Sequence, residues 1–315
     1  MAEVSLKLFT VDAFATNGTF TGNPAAVVLL DKDYDASTYQ RIAFEVNLSE
    51  TAFVKPILAG QSFADAKEFS LRWFTPTTEV NLCGHATMAT AHVLFHAMGN
   101  PHEKLIFRTR SGHLSCVKHG SRIGLDFPQY HVEPLIPDNF PELFTDNTKP
   151  VDWLDQLIQI ASCGLKVAGT HLCGVSKKLL IVLDSSYKRA DLERISPDPG
   201  AMLDCHPSAE IIRGVIVTVK AGAGEGYDFY SRYFGPWAGI PEDPATGAAH
   251  CALGPFWSLV LLGKKELSAR QCSKRGADFF LKILSNNRIF LAGSAVLVVD
   301  ATITFKDPSS QMEND

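Results

Sequence analysis

Three side chains in this sequence combine a chemistry and a setting that suit proton transfer at carbon. Glu50 stands within Asn47–Val54, between a predicted helix and an apolar strand. Apolar neighbours there would partly desolvate the carboxylate and raise its pKa towards the range of a general base. His85 follows Gly84 at one predicted helix start, and Asp243 lies at another. Glu50, His85 and Asp243 are therefore the candidate acid/base residues.

Each of these residues also has an ordinary structural interpretation that the sequence leaves open. Glu50 could be a solvated carboxylate at a strand edge. His85 could make only a helix-terminal hydrogen bond, and Asp243 could be an N-cap followed by Pro244 as the first helical residue. An internal repeat favours chemistry, because it places His85 and Asp243 at corresponding helix starts.

The repeat relates two segments of similar sequence. Arg72–Pro76 reads RWFTP and Arg232–Pro236 reads RYFGP. The helices that follow them also start alike, with His85-Ala86-Thr87 in one case and Pro244-Ala245-Thr246 in the other. Two matches in register indicate duplication of one strand-and-helix module.

Helices of small residues are predicted at about 85–98 and 246–262, and a helix this narrow is best wrapped by a sheet. A further helix is predicted from Ser37 to Val46, with Ser37 and Gln40 at capping-box spacing. Ser285–Asn287 is a predicted hairpin turn. Strands are predicted at 6–14, 24–30, 52–57, 69–74, 104–109, 114–118, 122–127, 179–183, 214–220, 227–234, 279–284, 288–291 and 295–304.

These patterns predict an α+β fold of two pseudo-symmetric domains, each a β-barrel-like sheet around a central helix. Residues 1–128 would form the first domain, which a strand at 296–305 could complete, and residues 129–295 the second. Residues 308–315 are predicted to be a disordered tail. A pseudo-twofold axis would aim both helix N-termini at one cleft, where their N–H groups suit a carboxylate.

The composition excludes several classes of partner. The net charge is −5, with 29 basic and 34 acidic residues that form no basic stripe, so nucleic acid is not expected. No apolar run approaches the ~20 residues of a spanning helix, and the N-terminus lacks the pattern of a signal peptide. Seven cysteines without paired spacing are typical of reduced thiols. We therefore expect a cytoplasmic protein that does not bind membranes.

Neither a cofactor nor a metal is expected. Gly222–Gly226 lacks the spacing of a nucleotide-binding loop and leads into a strand, so it is predicted to be a hairpin loop. The thiol of Cys83 could have a lowered pKa at a helix N-terminus, or could be a small buried apolar group. Isolated cysteine–histidine pairs occur without the spacing of a zinc site: Cys83 with His85, Cys205 with His206, and His250 with Cys251.

Seven segments in order along the chain give it a family resemblance. The sequence resembles the phenazine-biosynthesis PhzF-like isomerases, and within them the animal members. The resemblance implies a diaminopimelate-epimerase-like fold, with Glu50 as the principal acid/base and His85 and Asp243 assisting. It also implies a reaction like that of the prototype, which moves a proton between carbons of a dihydro-hydroxyanthranilate ring. The segments are Asp12–Phe14, Gly22–Val27, Asn47–Val54, Arg72–Pro76, Cys83–Thr87, Asp228–Phe234 and Glu242–Gly247.

Two departures from the family pattern limit what is carried over. Ala248 stands where family members often have Ser, so the substrate could differ from that of the prototype. Related epimerases use one Cys from each half, whereas here Cys83 is matched by Asp243-Pro244, which disfavours a two-thiol racemase. The residues expected to bind the substrate are Asn23, Ser49, Cys83, Gly84, Ala86, Thr87, Thr246, Gly247 and Ala248.

The sequence therefore predicts a cofactor-independent isomerase that acts on a small, cyclic carboxylate. The alternative is a scaffold with weak or no catalysis that binds a metabolite or a protein. The resemblance implies a homodimer, and the name given to animal members implies a WD-repeat protein partner.

Overall fold

The computed structural model describes residues 3–16, 18–145 and 149–306, so the predicted tail at 308–315 lies outside the described residues. The chain divides into two compact units, residues 1–126 with 292–315 and residues 127–291.

The helices are α1 (Ala36–Val46), α2 (Gly84–His92, continued by a π-helical turn at Val93–Ala97), α3 (Asp152–Ser162), α4 (Arg189–Arg194), α5 (Pro199–Cys205) and α6 (Gly247–Val260). The strands are β1 (Glu3–Ala15), β2 (Asn23–Leu29), β3 (Thr51–Pro56), β4 (Glu68–Phe74), β5 (Glu79–Val80), β6 (Lys104–Thr109), β7 (Gly112–His119), β8 (Arg122–Pro128), β9 (Glu133–Pro134), β10 (Phe144–Thr145), β11 (Lys149–Pro150), β12 (Val167–Cys173), β13 (Lys178–Leu183), β14 (Gly214–Lys220), β15 (Phe229–Phe234), β16 (Glu266–Gln271), β17 (Ala277–Ile283) and β18 (Arg288–Lys306).

The first unit is a closed barrel of eight strands in the order β1-β2-β3-β4-β6-β7-β8-β18. The antiparallel pairing of β1 with β18, from Ala15 beside Ser294 to Glu3 beside Lys306, closes it. Helix α2 lies against β1, β2 and β3, and each of its residues from His85 to Ala91 is buried. The small side chains of α2 allow strands to approach on several sides, as the sequence predicted.

The second unit has a sheet in the order β9-β12-β13-β14-β15-β16-β17-β18. No pairing joins the two ends of this path among the residues that the structure describes. Helix α6 is its central helix, and Trp257 on α6 donates its indole N–H to Thr218 on β14 at 3.1 Å. Alternate residues of β14 pack in a second core with Leu154 of α3 and Leu192 of α4. Strand β14 is therefore buried on both faces.

Strand pairing confirms the predicted duplication. Along the first unit, β1–β2, β2–β3, β3–β4, β4–β6 and β6–β7 are antiparallel, parallel, antiparallel, parallel and antiparallel. The same senses recur in the same order for β12–β13, β13–β14, β14–β15, β15–β16 and β16–β17. The two units thus share one topology, and both belong to a mixed α+β fold.

Two local predictions are confirmed by the backbone. Asn286 and Asn287 have φ of 58° and 57°, the left-handed values that a tight hairpin between β17 and β18 requires. The loop Gly222–Gly226 joins the antiparallel strands β14 and β15, so it is a hairpin loop. In the described ranges, no helix combines the length and apolar character needed to cross a membrane.

Other local predictions are wrong or incomplete. Helix α1 begins after Asp35, and Gln40 donates its amide to the carbonyl of Thr75, so the predicted capping box does not form. Helix α6 has Thr246 as its N-cap, so Asp243 is not the N-cap that its sequence suggested. Elements α3, α4, α5, β12 and β16 were not predicted.

Candidate functional site

The candidate acid/base residues of the first unit meet where β2, β3 and α2 begin. Strands β2 and β3 run parallel, and the amide of Ala26 donates to the carbonyl of Glu50 at 3.0 Å. This register sets Glu50, just before β3, beside the start of β2 at Asn23. Helix α2 begins at Gly84 and brings His85 to the same end of the barrel.

The imidazole of His85 lies between a carboxylate and a thiol. Its Nε2 is 3.1 Å from Oε2 of Glu50, and its Nδ1 is 3.5 Å from Sγ of Cys83. The side chain of Glu50 is only 12% exposed, and His85 and Cys83 are buried. The three groups therefore form one buried cluster of close polar contacts, called here the Glu50–His85–Cys83 cluster.

The pKa of Glu50 moves in the opposite direction from the prediction. Burial alone would raise it, but attraction to His85 and hydrogen bonds from His85 and Ser49 lower it below the ordinary value. Burial also opposes a charge on His85, yet Cys83 and Glu50 raise the pKa of His85 well above its ordinary value. Both directions favour the ionised forms, a carboxylate on Glu50 and an imidazolium on His85.

Cys83 is not the activated thiol that a helix N-terminus could have produced. Burial and the nearby charge of Glu50 raise its pKa, although His85 and the amide of Ala86 act in the other direction. Of the two alternatives left open by the sequence, the small buried group agrees with the structure, because burial disfavours the charged thiolate. Cys83 is a neutral thiol in its resting state.

The remaining residues predicted for this site lie around His85. Asn23 Nδ2 is 3.4 Å from His85 Nδ1, and Ser49 Oγ is 3.4 Å from His85 Nε2. Thr87 is fully buried and donates its hydroxyl to the carbonyl of Cys83 at 2.5 Å, so that hydroxyl is used inside the helix. Gly84 and the buried Ala86 offer only their backbone to a ligand.

The second unit places Asp243 in a different setting. Its Oδ2 accepts a hydrogen bond from Thr246 Oγ1 at 2.5 Å. Gln271, on β16, accepts from the amide of Thr246 at 2.8 Å and donates to the carbonyl of Asp243 at 2.5 Å. Since Gln271 is almost completely buried, it fixes the backbone of the turn that leads into α6. No sequence pattern singled out Gln271, whose partners lie 25 and 28 residues earlier.

The residues at equivalent positions of the two helix starts are not the ones that the sequence predicted. Both helices begin on a glycine, Gly84 in α2 and Gly247 in α6. His85 therefore corresponds to Ala248 and not to the segment at Asp243. Ala248 is exposed whereas Gly247 is buried. The prediction that both helix starts face one cleft stays a prediction.

A matching pair of ionic contacts precedes both helices and was also missed. Arg72 binds Glu79 through Nε and Nη2, both at 2.8 Å. Arg232 binds Glu242 in the same bidentate way at 2.6 and 2.8 Å. Each arginine is thus tied to the segment between its strand and the next helix, and Glu242 directly precedes Asp243.

The Glu50–His85–Cys83 cluster also has the atoms of a metal site. Its carboxylate oxygen, thiol sulfur and ring nitrogen lie within 4.8 Å of one another. The sequence grouped Glu50 with His85 only as acid/base residues, and as possible metal ligands it paired Cys83 with His85 alone.

Fold and site together define an α+β protein of two like units, one of which holds a buried pair of a carboxylate and an imidazole 3.1 Å apart. The chain belongs to the PhzC-PhzF family of phenazine biosynthesis-like proteins, whose sequence profile matches residues 11–301.

It is 41% identical over 304 residues to the bovine (Bos taurus) phenazine biosynthesis-like domain-containing protein, covering 96% of this chain and 100% of that protein. It is 39% identical over 297 residues to an uncharacterized isomerase of Halalkalibacterium halodurans, covering 94% and 97%. A crystal structure of a PhzF-family protein from Enterococcus faecalis matches with a TM-score of 0.75 and 34% identity, over 95% of this chain and 99% of that one. The resemblance seen in the sequence is confirmed.

Proposed function

We propose that this protein is an isomerase that moves a proton between carbons of a small, cyclic carboxylate. Glu50 takes the proton from a substrate carbon, the electrons of the broken C–H bond delocalise into the substrate, and Glu50 returns the proton to another carbon. The observation that carries the proposal is the 3.1 Å contact between Glu50 and His85 in a buried site. Relatives such as the Halalkalibacterium halodurans protein carry the name isomerase.

His85 has a complementary part in this proposal. As an imidazolium it offsets the charge of Glu50 and attracts the carboxylate of the substrate. Charge that develops in the substrate is stabilised by the N–H groups at the start of α2, around Gly84. Asp243 and the amides around Gly247 are proposed to assist, and Asn23, Ser49, Ala86, Thr246 and Ala248 to contact the substrate. The diaminopimelate-epimerase-like assignment belongs to the same proposal, and the matched order of strand pairings supports it.

The alternative is a protein that binds a metabolite or a protein partner without turnover. One observation favours it: Ala248, at the second helix start, provides no hydroxyl where family members often have Ser. A homodimer and a WD-repeat protein partner are further proposals that the family resemblance suggests.

Solvent exchange tests the proposed function directly. Small cyclic carboxylates are incubated with the protein in D₂O, and deuterium at carbon is read by NMR. We expect Glu50→Gln to lower the exchange rate by about 10²–10⁴-fold, the range of general acid–base catalysis. Glu45→Gln, the same change at an exposed position of α1, is the matched control. Wild-type protein that is stabilised by a carboxylate but exchanges none of its hydrogens would favour the binding protein.

A further inference from the structure

The Glu50–His85–Cys83 cluster contains a carboxylate, an imidazole and a thiol, which are the three side-chain types that bind zinc. All seven cysteines of the chain are free thiols. Among the residues that the structure describes, Cys83 is the cysteine whose sulfur forms a group with two other possible ligand atoms, from Glu50 and His85. These atoms lie within 4.8 Å of one another. Three protein ligands with one open position are typical of accessible zinc sites.

The distances suit a small tetrahedral ion. Zinc bonds of about 2.0–2.3 Å place neighbouring ligand atoms ~3.3–3.8 Å apart in a tetrahedron. The sulfur of Cys83 is 3.5 Å from Nδ1 of His85, and Oε2 of Glu50 is 3.1 Å from Nε2. Because thiol and carboxylate approach opposite ring nitrogens, one of them must turn towards the nitrogen that binds the ion. The proposed site therefore requires a side-chain movement of Glu50 or Cys83 within a cluster whose ligand atoms already lie within 4.8 Å of one another.

Metal binding would replace protons in the cluster. A divalent cation would form bonds to the carboxylate, the imidazole and the thiolate, and the protons on those ligand atoms would be released to solvent. The released protons carry away positive charge that the ion supplies.

We propose that the Glu50–His85–Cys83 cluster is a binding site for a thiophilic divalent cation such as Zn²⁺. The bound ion occupies the atoms that hold protons in the resting state. Binding itself does not depend on the proposed isomerase function. Its consequence does: an occupied cluster cannot take a proton from a substrate, so Zn²⁺ is an inhibitor of the proposed reaction.

Cobalt titration of the full-length protein tests the site without any substrate. Co²⁺ bound to a thiolate gives a charge-transfer absorption band in the near ultraviolet, and bound protons are released as the ion enters. We expect the band in the wild type, its loss in Cys83→Ser, and at least about tenfold weaker binding in Glu50→Gln, a loss that even outer-sphere partners of a ligand can cause. Cys205→Ser, which removes a thiol next to His206 in sequence, is the matched control and should retain the band.

The outcomes are separable. No band in the wild type, or a band that persists in Cys83→Ser, overturns the metal site. If Cys83→Ser does not fold by circular dichroism, Glu50→Gln decides, because unchanged Co²⁺ affinity in that variant excludes the cluster. Protein that exchanges substrate hydrogen but binds no Co²⁺ contradicts only the metal site. Protein that binds Co²⁺ but exchanges no substrate hydrogen contradicts only the isomerase.

Discussion

The two units share a topology but use their helix starts differently. In the first unit the start of α2 lies beside three titratable side chains, Glu50, Cys83 and His85. In the second unit the turn before α6 is held by the neutral amide of Gln271, which bonds to the backbone of Thr246 and Asp243. One start therefore gathers three titratable groups in contact, whereas at the other the carboxylate of Asp243 is bonded to Thr246 and the backbone is held by an amide. The two units thus share a topology but differ in the side chains at the starts of α2 and α6.

The arginine–glutamate pairs show the same divergence in burial. The side chain of Arg72 is 34% exposed, whereas that of Arg232 is 9% exposed. Arg232 also donates from Nη1 to the carbonyls of Leu192 and Ile195, at the end of α4. The second pair is therefore part of the core of its unit, and the first is closer to a surface contact.

Removing the two arginines should have unequal effects on stability. We expect Arg232→Met to lower the free energy of unfolding by about 3–5 kcal/mol, because it leaves the carboxylate of Glu242 without its buried partner. Arg72→Met should cost about 1 kcal/mol, because Arg72 is partly exposed and Glu79 keeps a second partner, Arg110, at 2.6 Å. Urea denaturation of both variants measures the difference. Equal losses would contradict the distinction between a core pair and a surface pair.

The amide clamp of Gln271 should be the next largest contribution. Gln271→Leu removes the partners of the Thr246 amide and the Asp243 carbonyl, and each buried group left unpaired costs about 1–3 kcal/mol. Gln271→Glu keeps an acceptor for the Thr246 amide, and when its carboxyl is protonated it also donates to the Asp243 carbonyl, so it should lose less at acidic pH. Thermal unfolding and hydrogen exchange at residues 243–248 measure both. If the two variants lose equal stability, the acceptor side of the clamp contributes nothing.

The central helices differ at their eighth residue, which is Ala91 in α2 and Gly254 in α6. A Cβ added at Gly254 would clash with Cδ1 of Ile289. We expect Gly254→Ala to cost about 1–3 kcal/mol through overpacking, whereas Ala91→Gly should cost about 1 kcal/mol through helix propensity and lost packing. Chemical denaturation checks the values. Adding Ile289→Val, which removes that Cδ1, should restore much of the loss in Gly254→Ala, and failure to do so would place the strain elsewhere.

Local patterns predicted the parts of the fold that local residues determine. The small side chains of α2 and α6 require close strands on several sides, and the paired asparagines at 286 and 287 tolerate the left-handed backbone of their turn. The repeat predicted the shared topology. Prediction failed at the start of α6. Asp243 and Pro244 match a common capping pattern, but Gln271, 28 residues away, holds this turn in another conformation.

The candidate residues were chosen from the sequence, and their electrostatics were not predicted correctly. Glu50 and His85 could be selected from their positions beside a strand and a helix start. The pKa of Glu50 was assigned the wrong direction, because local sequence shows its apolar neighbours but not the imidazolium that the barrel brings within 3.1 Å. Contacts between residues far apart in sequence, such as those of Gln271 and Arg232, leave no local pattern and needed the structure.

The two helix starts should respond differently to pH. The pKa of Glu50 is lowered from 4.5, so its stabilising contribution is complete above about 4.5 and is lost as pH falls through the lower folded value. The pKa of His85 is raised from 6.5, so its contribution is complete below about 6.5 and is lost as pH rises through the higher folded value. The stability difference between wild type and Glu50→Gln should therefore be largest between pH 4.5 and 6.5 and should shrink on either side.

NMR titration measures the pKa of the His85 imidazole itself. In Glu50→Gln the pKa of His85 should fall, because burial then opposes the imidazolium without the carboxylate to offset it, and each unit of that fall corresponds to about 1.4 kcal/mol. Glu45→Gln should leave the titration unchanged. Gln271→Leu should lose a constant amount of stability over the same range, since its amide carries no proton that titrates. A pH-independent loss in Glu50→Gln would mean that the two helix starts do not differ in kind.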